Sequence, residues 1–146
     1  MRKRVVITGI GVLSPIGSGR DTFWDALCAG TNGIGNIQGF DTSMFDVHHG
    51  GEVRDADTAA FCRMQNPNDV PRTTQLAIAA ARMALEDAQL DAAAYPADRI
   101  GVCVGTTIGN SSVVEYDHDK RFKESKRLSP MLAGRFSGSY LSAAVA

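Results

Sequence analysis

Two continuous apolar runs constrain the fold of this chain more than any other feature. Residues 4–8 read Arg-Val-Val-Ile-Thr and end at Gly9, and residues 99–105 read Arg-Ile-Gly-Val-Cys-Val-Gly. Apolar runs without polar alternation are typical of strands in a parallel sheet that is covered on both faces. Two strands cannot complete such a sheet. The sequence therefore predicts apolar faces that need partner strands from elsewhere.

Helical patterns alternate with these two runs, which favours an α/β fold with a parallel sheet. The clearest helix is predicted over Thr73–Gln89, where alanines surround Leu76, Ile78 and Met83 and favour burial on most of its surface. A helix from Asp21 or Thr22 to Ala29 has Phe23, Trp24 and Leu27 on its apolar side, and Gly30 follows as its cap. The remaining predicted helices are a short one near Asp57–Arg63 within the irregular stretch 31–72, one over 113–125 that ends before Ser129-Pro130, and one over Phe136–Ala146.

Length and charge exclude several classes of function. A chain of 146 residues suits one domain, 1–146, and a net charge of −1 gives no reason to expect binding to nucleic acid. No apolar run approaches the roughly 18 residues of a membrane span. The three cysteines are far apart without a CxxC pair, so disulfides and zinc are poorly supported and a reducing cytoplasm is predicted.

Four stretches together resemble the β-ketoacyl synthase family of the thiolase fold. Each occurs in the family's order and spacing: an N-terminal signature, an "fW..L..G…..fd" pattern, an alanine-rich helix ending in an "AL.DAGL" phrase, and an "riGv.vGt..gg" strand and turn. Gln89 stands where that phrase usually has glycine. In the same order as these four patterns, the matching stretches are Arg4–Gly17; Phe23-Trp24 with Leu27, Gly30 and Phe40-Asp41; Ala77–Leu90; and Arg99–Gly109.

The resemblance implies a thiolase-like layered fold, of which this chain would be the incomplete N-terminal half, usually in a homodimer or heterodimer. It also implies a reaction in fatty-acid or polyketide synthesis. An acyl group passes from a carrier-protein thioester to a cysteine, and a malonyl unit loses carbon dioxide and attacks the acyl-enzyme. Family members without the cysteine are companion subunits that shape chain length. No cofactor and no metal are expected.

The resemblance also implies that the chemistry lies outside these residues. The family's nucleophile sits in an "acCaSs"-type elbow shortly beyond the stretch matched by Ser129–Ala146, and its histidines and lysine come later. We therefore assign no catalytic residue and expect the chain alone to be inactive. Cys103, within an apolar run, is interpreted as a small buried hydrophobe. His48, His49 and His118 are interpreted as surface or loop residues.

A local basic cluster spans Lys120 to Arg127 and has two interpretations. Acidic neighbours, Asp117, Asp119 and Glu124, favour an ordinary solvated helix face. The resemblance instead assigns Lys126 and Arg127, together with Arg72, to positions that meet an acidic acyl carrier protein and steer it to the pocket. Both interpretations stay open.

Three apolar residues are candidates for the acyl pocket and the dimer. By resemblance, Ile108 matches the far end of the pocket, and Met131 and Leu132 match residues that reach across the dimer toward it. Ordinary core packing is the alternative. Asn110-Ser-Ser112 is formally a glycosylation sequon, but the chain has no secretory signal.

Three functions remain as hypotheses. The first is the N-terminal part of a condensing acyltransferase that ends at Ala146 before its nucleophile. The second is a non-catalytic companion subunit, or a docking fragment, that needs the remainder of the synthase or a second synthase chain. The third and weakest is a nucleotide-binding oxidoreductase, suggested only by Gly9-Ile-Gly11, because Ser14 replaces the third glycine of GxGxxG.

Overall fold

The computed structural model describes residues 3–62 and 69–146. Helices dominate it, and its β structure is confined to two short antiparallel ladders, Leu13–Ser14 (β1) with Gly17–Ser18 (β2) and Gly35–Asn36 (β3) with His49–Gly50 (β4). The helices are α1 (Arg20–Cys28), α2 (Arg72–Asp87), α3 (Ser111–Phe122), α4 (Leu132–Phe136) and α5 (Gly138–Val145). Single 3₁₀ turns occupy Ala59–Phe61, Ala92–Ala94 and Ala97–Arg99.

The ends of the first two helices follow their local sequence. After α1, Gly30 takes a left-handed φ of 67°, its N–H donates to Leu27 O, and the N–H of Thr31 donates to Ala26 O. This pair of bonds is a Schellman motif, which confirms the glycine cap predicted there. The same motif closes α2, where the N–H of Gln89 donates to Glu86 O and that of Leu90 to Leu85 O.

The two apolar runs do not form the predicted strands. Neither residues 3–12 nor residues 100–105 pair with a neighbouring strand within the described part of the chain. Val5 is 91% exposed and Ile7 is 87% exposed, and Ile100 is extended (φ −113°, ψ 131°) and exposed. The prediction of buried strands was wrong for this chain because a strand needs hydrogen-bonded neighbours, whereas a helix satisfies its own backbone.

The chain divides into two compact units. The first comprises the described part of Met1–Asp57 together with Arg82–Leu90. In it, Gly9 lies against the end of α2 so closely that a Cβ there would stand 2.1 Å from Ala84 O and 2.7 Å from Ala88 Cβ. The carboxylate of Asp87 fastens this contact, since it accepts a hydrogen bond from Ile10 N (2.9 Å) and pairs with Arg20.

The second unit comprises Thr58–Ala81 and Asp91–Ala146, apart from residues 63–68. It holds a small core of Cys62, Val70 and Ile78, against which Phe61, Ala144 and Val145 pack. Leu141 of α5 is 1% exposed. The short helix predicted near Asp57–Arg63 is only the turn Ala59–Phe61, and Arg63 lies outside the described residues.

Much apolar surface stays uncovered. α1 buries no residue, and Trp24 and Leu27 on its predicted apolar side are 61% and 51% exposed. α2 buries only Thr74, Ile78 and Ala79, which is less of its surface than its alanine content predicts. Among residues 3–62 and 69–146, no helix combines the length and the apolar character that a membrane crossing requires.

Candidate functional site

The turn over residues 106–110 carries the first acyl-pocket candidate, Ile108. Gly109 adopts a left-handed φ of 69°, and its N–H donates to the hydroxyl of Thr106 at 3.0 Å. Ile108 projects from this turn with 67% of its surface exposed. Its side chain therefore does not contribute to a core within the second unit, which leaves it available to another surface.

Asn110 holds the turn from beneath. It is completely buried; its Nδ2 donates to Arg135 O at 2.8 Å, and its Oδ1 accepts from the hydroxyl of Thr74 at 3.1 Å. These bonds join the turn to α4 and to α2. Ile108 and α4, which starts at Leu132, are thus brought together on segments linked through one side chain.

The other two acyl-pocket candidates lie where α4 begins. The N–H of Met131 donates to Ser129 Oγ (3.2 Å), and the N–H of Leu132 donates to Ser129 O (3.1 Å). Met131 is 55% exposed, whereas Leu132 is half-buried. Ser129 in turn donates its own N–H to Asp117 Oδ1 at 3.4 Å, so the start of α4 is tied to α3.

Asp117 corrects one interpretation of the basic cluster. It was expected on a solvated face, but it is 2% exposed and lies on the side of α3 that packs against α4. Its carboxylate orients the Ser129-Pro130 segment and does not balance surface lysines. The charge pattern of α3 alone cannot reveal the burial of Asp117, because α4, which comes later in the chain, covers it.

Two of the five basic side chains of the basic cluster form local ion pairs. Lys123 pairs with Asp119 at 2.8 Å, Lys126 pairs with Glu124 at 2.6 Å, and the Lys120 ammonium lies 4.2 Å from the centre of the Tyr116 ring. The hydrogen bond to Glu124, and its charge, raise the pKa of Lys126, and the reciprocal bond lowers the pKa of Glu124. At neutral pH both partners are therefore charged.

The three predicted carrier-protein contacts are not equivalent. Arg127 is exposed and forms no ion pair with any described residue. Lys126 is already paired with Glu124. Arg72, at the first residue of α2, donates from its guanidinium to the hydroxyl of Thr58, and no hydrogen bond or ion pair described for it joins it to Lys126 or Arg127.

The cysteines differ in exposure, and the histidines lie at the surface. Cys62 is buried, whereas Cys103 is exposed, so the interpretation of Cys103 as a buried hydrophobe was wrong because its run is uncovered. Cys28 is exposed at the C-terminal end of α1. His48, His49 and His118 are exposed, as predicted.

Among residues 3–62 and 69–146, no three histidine, cysteine or acidic side chains converge as metal ligands would. Gly9 is explained by its close approach to Ala84 and Ala88. An open polar cleft of about 460 Å³ in the first unit lies elsewhere, lined by segments that include Ser14, Asn32 and Glu52.

Comparison with known proteins gives these features a context. The family model described as "Beta-ketoacyl synthase, N-terminal domain" matches residues 2–146. The chain belongs to the β-ketoacyl synthase family. Its resemblance over Arg4–Gly109 is thereby confirmed, and so is its thiolase-like α/β fold, which two solved structures of the family reproduce.

The relatives of this β-ketoacyl synthase domain are much longer than the chain. It is 43% identical over 129 residues to "3-oxoacyl-[acyl-carrier-protein] synthase 2" of Staphylococcus aureus (strain COL), covering 88% of the chain and 31% of that protein. It is 40% identical over 114 residues to the protein of the same description from Synechocystis, covering 78% of the chain and 27% of that protein. The chain thus spans about a third of the length of the curated relatives it matches.

Two solved structures are similar over nearly the whole chain. One is described as "The ishigamide ketosynthase/chain length factor", with a TM-score of 0.83, 34% identity, and coverage of 99% of this chain and 36% of that one. The other is a type II polyketide synthase ketosynthase in complex with its acyl carrier protein, with a TM-score of 0.78, 25% identity, and coverage of 99% and 35%.

Sequence reasoning missed Asn110, which the structure makes central to the site. The sequence showed it only as the asparagine of a sequon, and complete burial leaves it inaccessible to a modifying enzyme. A usable signal was present. The family phrase "gg" matches Gly109 and Asn110, so asparagine departs from glycine at a position followed by a helix.

Proposed function

We propose that the chain is the N-terminal part of a 3-oxoacyl-acyl-carrier-protein synthase, which condenses malonyl-carrier protein with an acyl thioester in fatty-acid or polyketide synthesis. The observation that carries this is the family match over residues 2–146, together with relatives that are themselves described as 3-oxoacyl-[acyl-carrier-protein] synthases. In this reading the chain builds one wall of the acyl pocket and supplies no catalytic residue.

The assay for this proposal uses the complete gene product with any chain that co-purifies. Incubation with malonyl- and acyl-carrier thioesters should release carbon dioxide and form a 3-oxoacyl thioester. The 146 residues expressed alone should do neither, because the chain spans only about a third of the length of the relatives it matches. Absence of condensation by the complete product, or a stable acyl adduct on Cys28, Cys62 or Cys103 of the isolated chain, would contradict the proposal.

A companion subunit is the second candidate function. The similarity to a structure described as a ketosynthase/chain length factor is compatible with it, since that description names both kinds of chain. In that case the chain shapes the pocket for a partner synthase without performing chemistry. The residue at the nucleophile elbow of the complete gene product discriminates between the two, since cysteine supports the synthase and its replacement, for example by glutamine, supports the companion.

An acyl carrier protein is the partner we propose for the basic cluster, with Arg127 as its leading contact. An exposed arginine without a local acid keeps its full charge for an incoming acidic surface, whereas Glu124 already occupies Lys126. Assembly as a homodimer or heterodimer, with Met131 and Leu132 facing the partner's pocket, belongs to the same proposal.

Carrier-protein affinity measured at low and high salt tests these charges. Arg127→Ala should weaken binding about threefold at low salt, Lys126→Ala less, and Glu124→Gln should strengthen it by freeing Lys126. Arg99→Ala, an exposed arginine in another segment, is the matched control. Equal losses from Arg127→Ala and Arg99→Ala would show that the cluster is a solvated face.

A further inference from the structure

Asn110 is placed at the N-cap of α3 but does not act as a cap. Asparagine is favoured at this position because its side chain can accept a hydrogen bond from the first turn of the helix. Here no such bond forms, and only the backbone carbonyl of Asn110 serves the helix, accepting from Val113 N at 3.0 Å. The side chain instead forms hydrogen bonds to α2 and α4, so it connects these two helices to the turn and does not stabilise α3 itself.

Both partners of the Asn110 side chain are themselves fixed. Thr74 is completely buried in α2. The Arg135 carbonyl belongs to α4, and the Arg135 side chain is also held, 3.4 Å from Asp69. A buried amide has steep positional requirements, because leaving any of its polar partners unsatisfied is costly. The 106–110 turn is therefore located relative to α4 by hydrogen-bond geometry and not by loose apolar contact.

Ile108 stands two residues before this anchor and depends on it. Within the turn itself the only side-chain hydrogen bond described is the one that Thr106 Oγ1 accepts from Gly109 N. Gly109 lies over α5, and a Cβ added at Gly109 would be 3.9 Å from Leu141 Cδ1. This is an ordinary van der Waals distance, so the apolar contact between the turn and α5 is not tight. Loss of the Asn110 bonds would leave the exposed Ile108 free to shift.

We propose that Asn110 is a positioning residue that fixes the turn carrying Ile108 against α4 and thereby limits the length of acyl chain accepted. This inference rests on the proposed function and on the family resemblance, which matches Ile108 to the far end of the acyl pocket. A wall held by a buried amide resists displacement by a longer acyl chain, whereas a wall held only by apolar contact yields to it.

The test compares acyl donors of different length on the complete gene product with its co-purifying chains. The values of kcat/KM are measured for butanoyl-, octanoyl- and dodecanoyl-carrier thioesters in the wild type and in Asn110→Ala and Thr74→Val. Both variants should favour the longest donor over the shortest by about tenfold relative to the wild type. Asn110→Ala removes no cap, since the side chain makes none.

Two controls separate positioning from general damage. Thr74→Ser keeps the hydroxyl that Asn110 accepts from, and Ser112→Ala changes an exposed neighbour; both should keep the wild-type ratio. A uniform loss for all donors, or an unchanged ratio, overturns the inference. If Asn110→Ala fails to fold, Thr74→Val decides. A wild type inactive with every donor rejects the proposed function itself, whereas an active wild type with unresponsive variants rejects only the role of Asn110.

Discussion

Gln89 holds a left-handed backbone, φ 51°, at the position after α2 where the Schellman motif favours glycine. A side chain in this conformation costs about 1–2 kcal/mol of strain. Glycine removes that strain, but it also gives the unfolded chain more conformational freedom, which offsets part of the gain. Gln89→Gly should therefore raise the free energy of unfolding by about 0.5–1 kcal/mol, measured by urea denaturation of the purified gene product.

The matched control for this change is Gln89→Ala. Alanine keeps the Cβ and so keeps the strain, and it should bring no such gain. Equal stabilisation by glycine and alanine would show that the glutamine side chain, and not the backbone conformation, is responsible. The residue matters because it is one point at which this chain departs from the family phrase.

Individual residues also show where sequence reasoning stops. The glycine cap at Gly30 was predictable because its cause lies within six residues of chain. The burial of Asp117 and Asn110 was not, because each is covered by α4 or α2 and the relevant contacts span between 12 and 36 positions. Of the candidate site, the sequence supplied Ile108, Met131 and Leu132 but not the side chain that joins their segments.

At the scale of elements, the C-terminal end of α2 holds other segments of the first unit in place through Asp87. A carboxylate in the last turn of a helix opposes the helix dipole, so Asp87 must be stabilised by other contacts. Those contacts are Ile10 N at 2.9 Å and the guanidinium of Arg20. They hold Gly9 against the helix and fix the course of the chain into β1.

Substitutions at Asp87 should separate the two contacts. Asp87→Ala removes both and should destabilise the protein by about 1–2 kcal/mol. Asp87→Asn keeps an oxygen for Ile10 N and should cost less stability than Asp87→Ala does, and Arg20→Ala should also cost less, since Arg20 is half-exposed. Hydrogen exchange at the Ile10 amide should accelerate only in Asp87→Ala; unchanged protection there would contradict the role of this bond.

Helices and strands differ in how far the sequence predicted them. The predicted helix Thr73–Gln89 matches α2, and the predicted 113–125 helix matches α3 within a few residues, because helical hydrogen bonds are local. The helix predicted over Phe136–Ala146 corresponds to α5, which starts only at Gly138 because Ser137 is not helical (φ −56°, ψ 134°), and α4 was not predicted. The two apolar runs were recognised as sheet-like, but a sheet depends on neighbours that no local pattern provides.

At the scale of the whole molecule, the uncovered apolar runs govern behaviour in solution. Val5, Val6 and Ile7 are all more than half exposed, which is unusual for a contiguous β-branched segment. The 146 residues expressed alone should therefore self-associate or bind a hydrophobic dye. Ile7→Lys should reduce this association, whereas Val47→Lys, at another exposed apolar residue, should not.

Analytical ultracentrifugation with dye binding measures this outcome. Co-expression with the remaining portion of a synthase should abolish self-association of the wild-type chain, and Ile7→Lys should impair that rescue because it would bury a charge in the surface that the partner covers. A monomeric chain that melts in one sharp cooperative transition would show that the runs need no covering surface.

The exposed Val5–Ile7 run has a further consequence during translation. It leaves the ribosome before residues 99–105, which follow roughly ten seconds later at ordinary elongation rates. Neither run pairs with a strand within the described residues, so both remain prone to aggregation while the nascent chain grows. The yield of this protein should consequently depend on how quickly covering segments arrive and on chaperones that shield the nascent chain until they do.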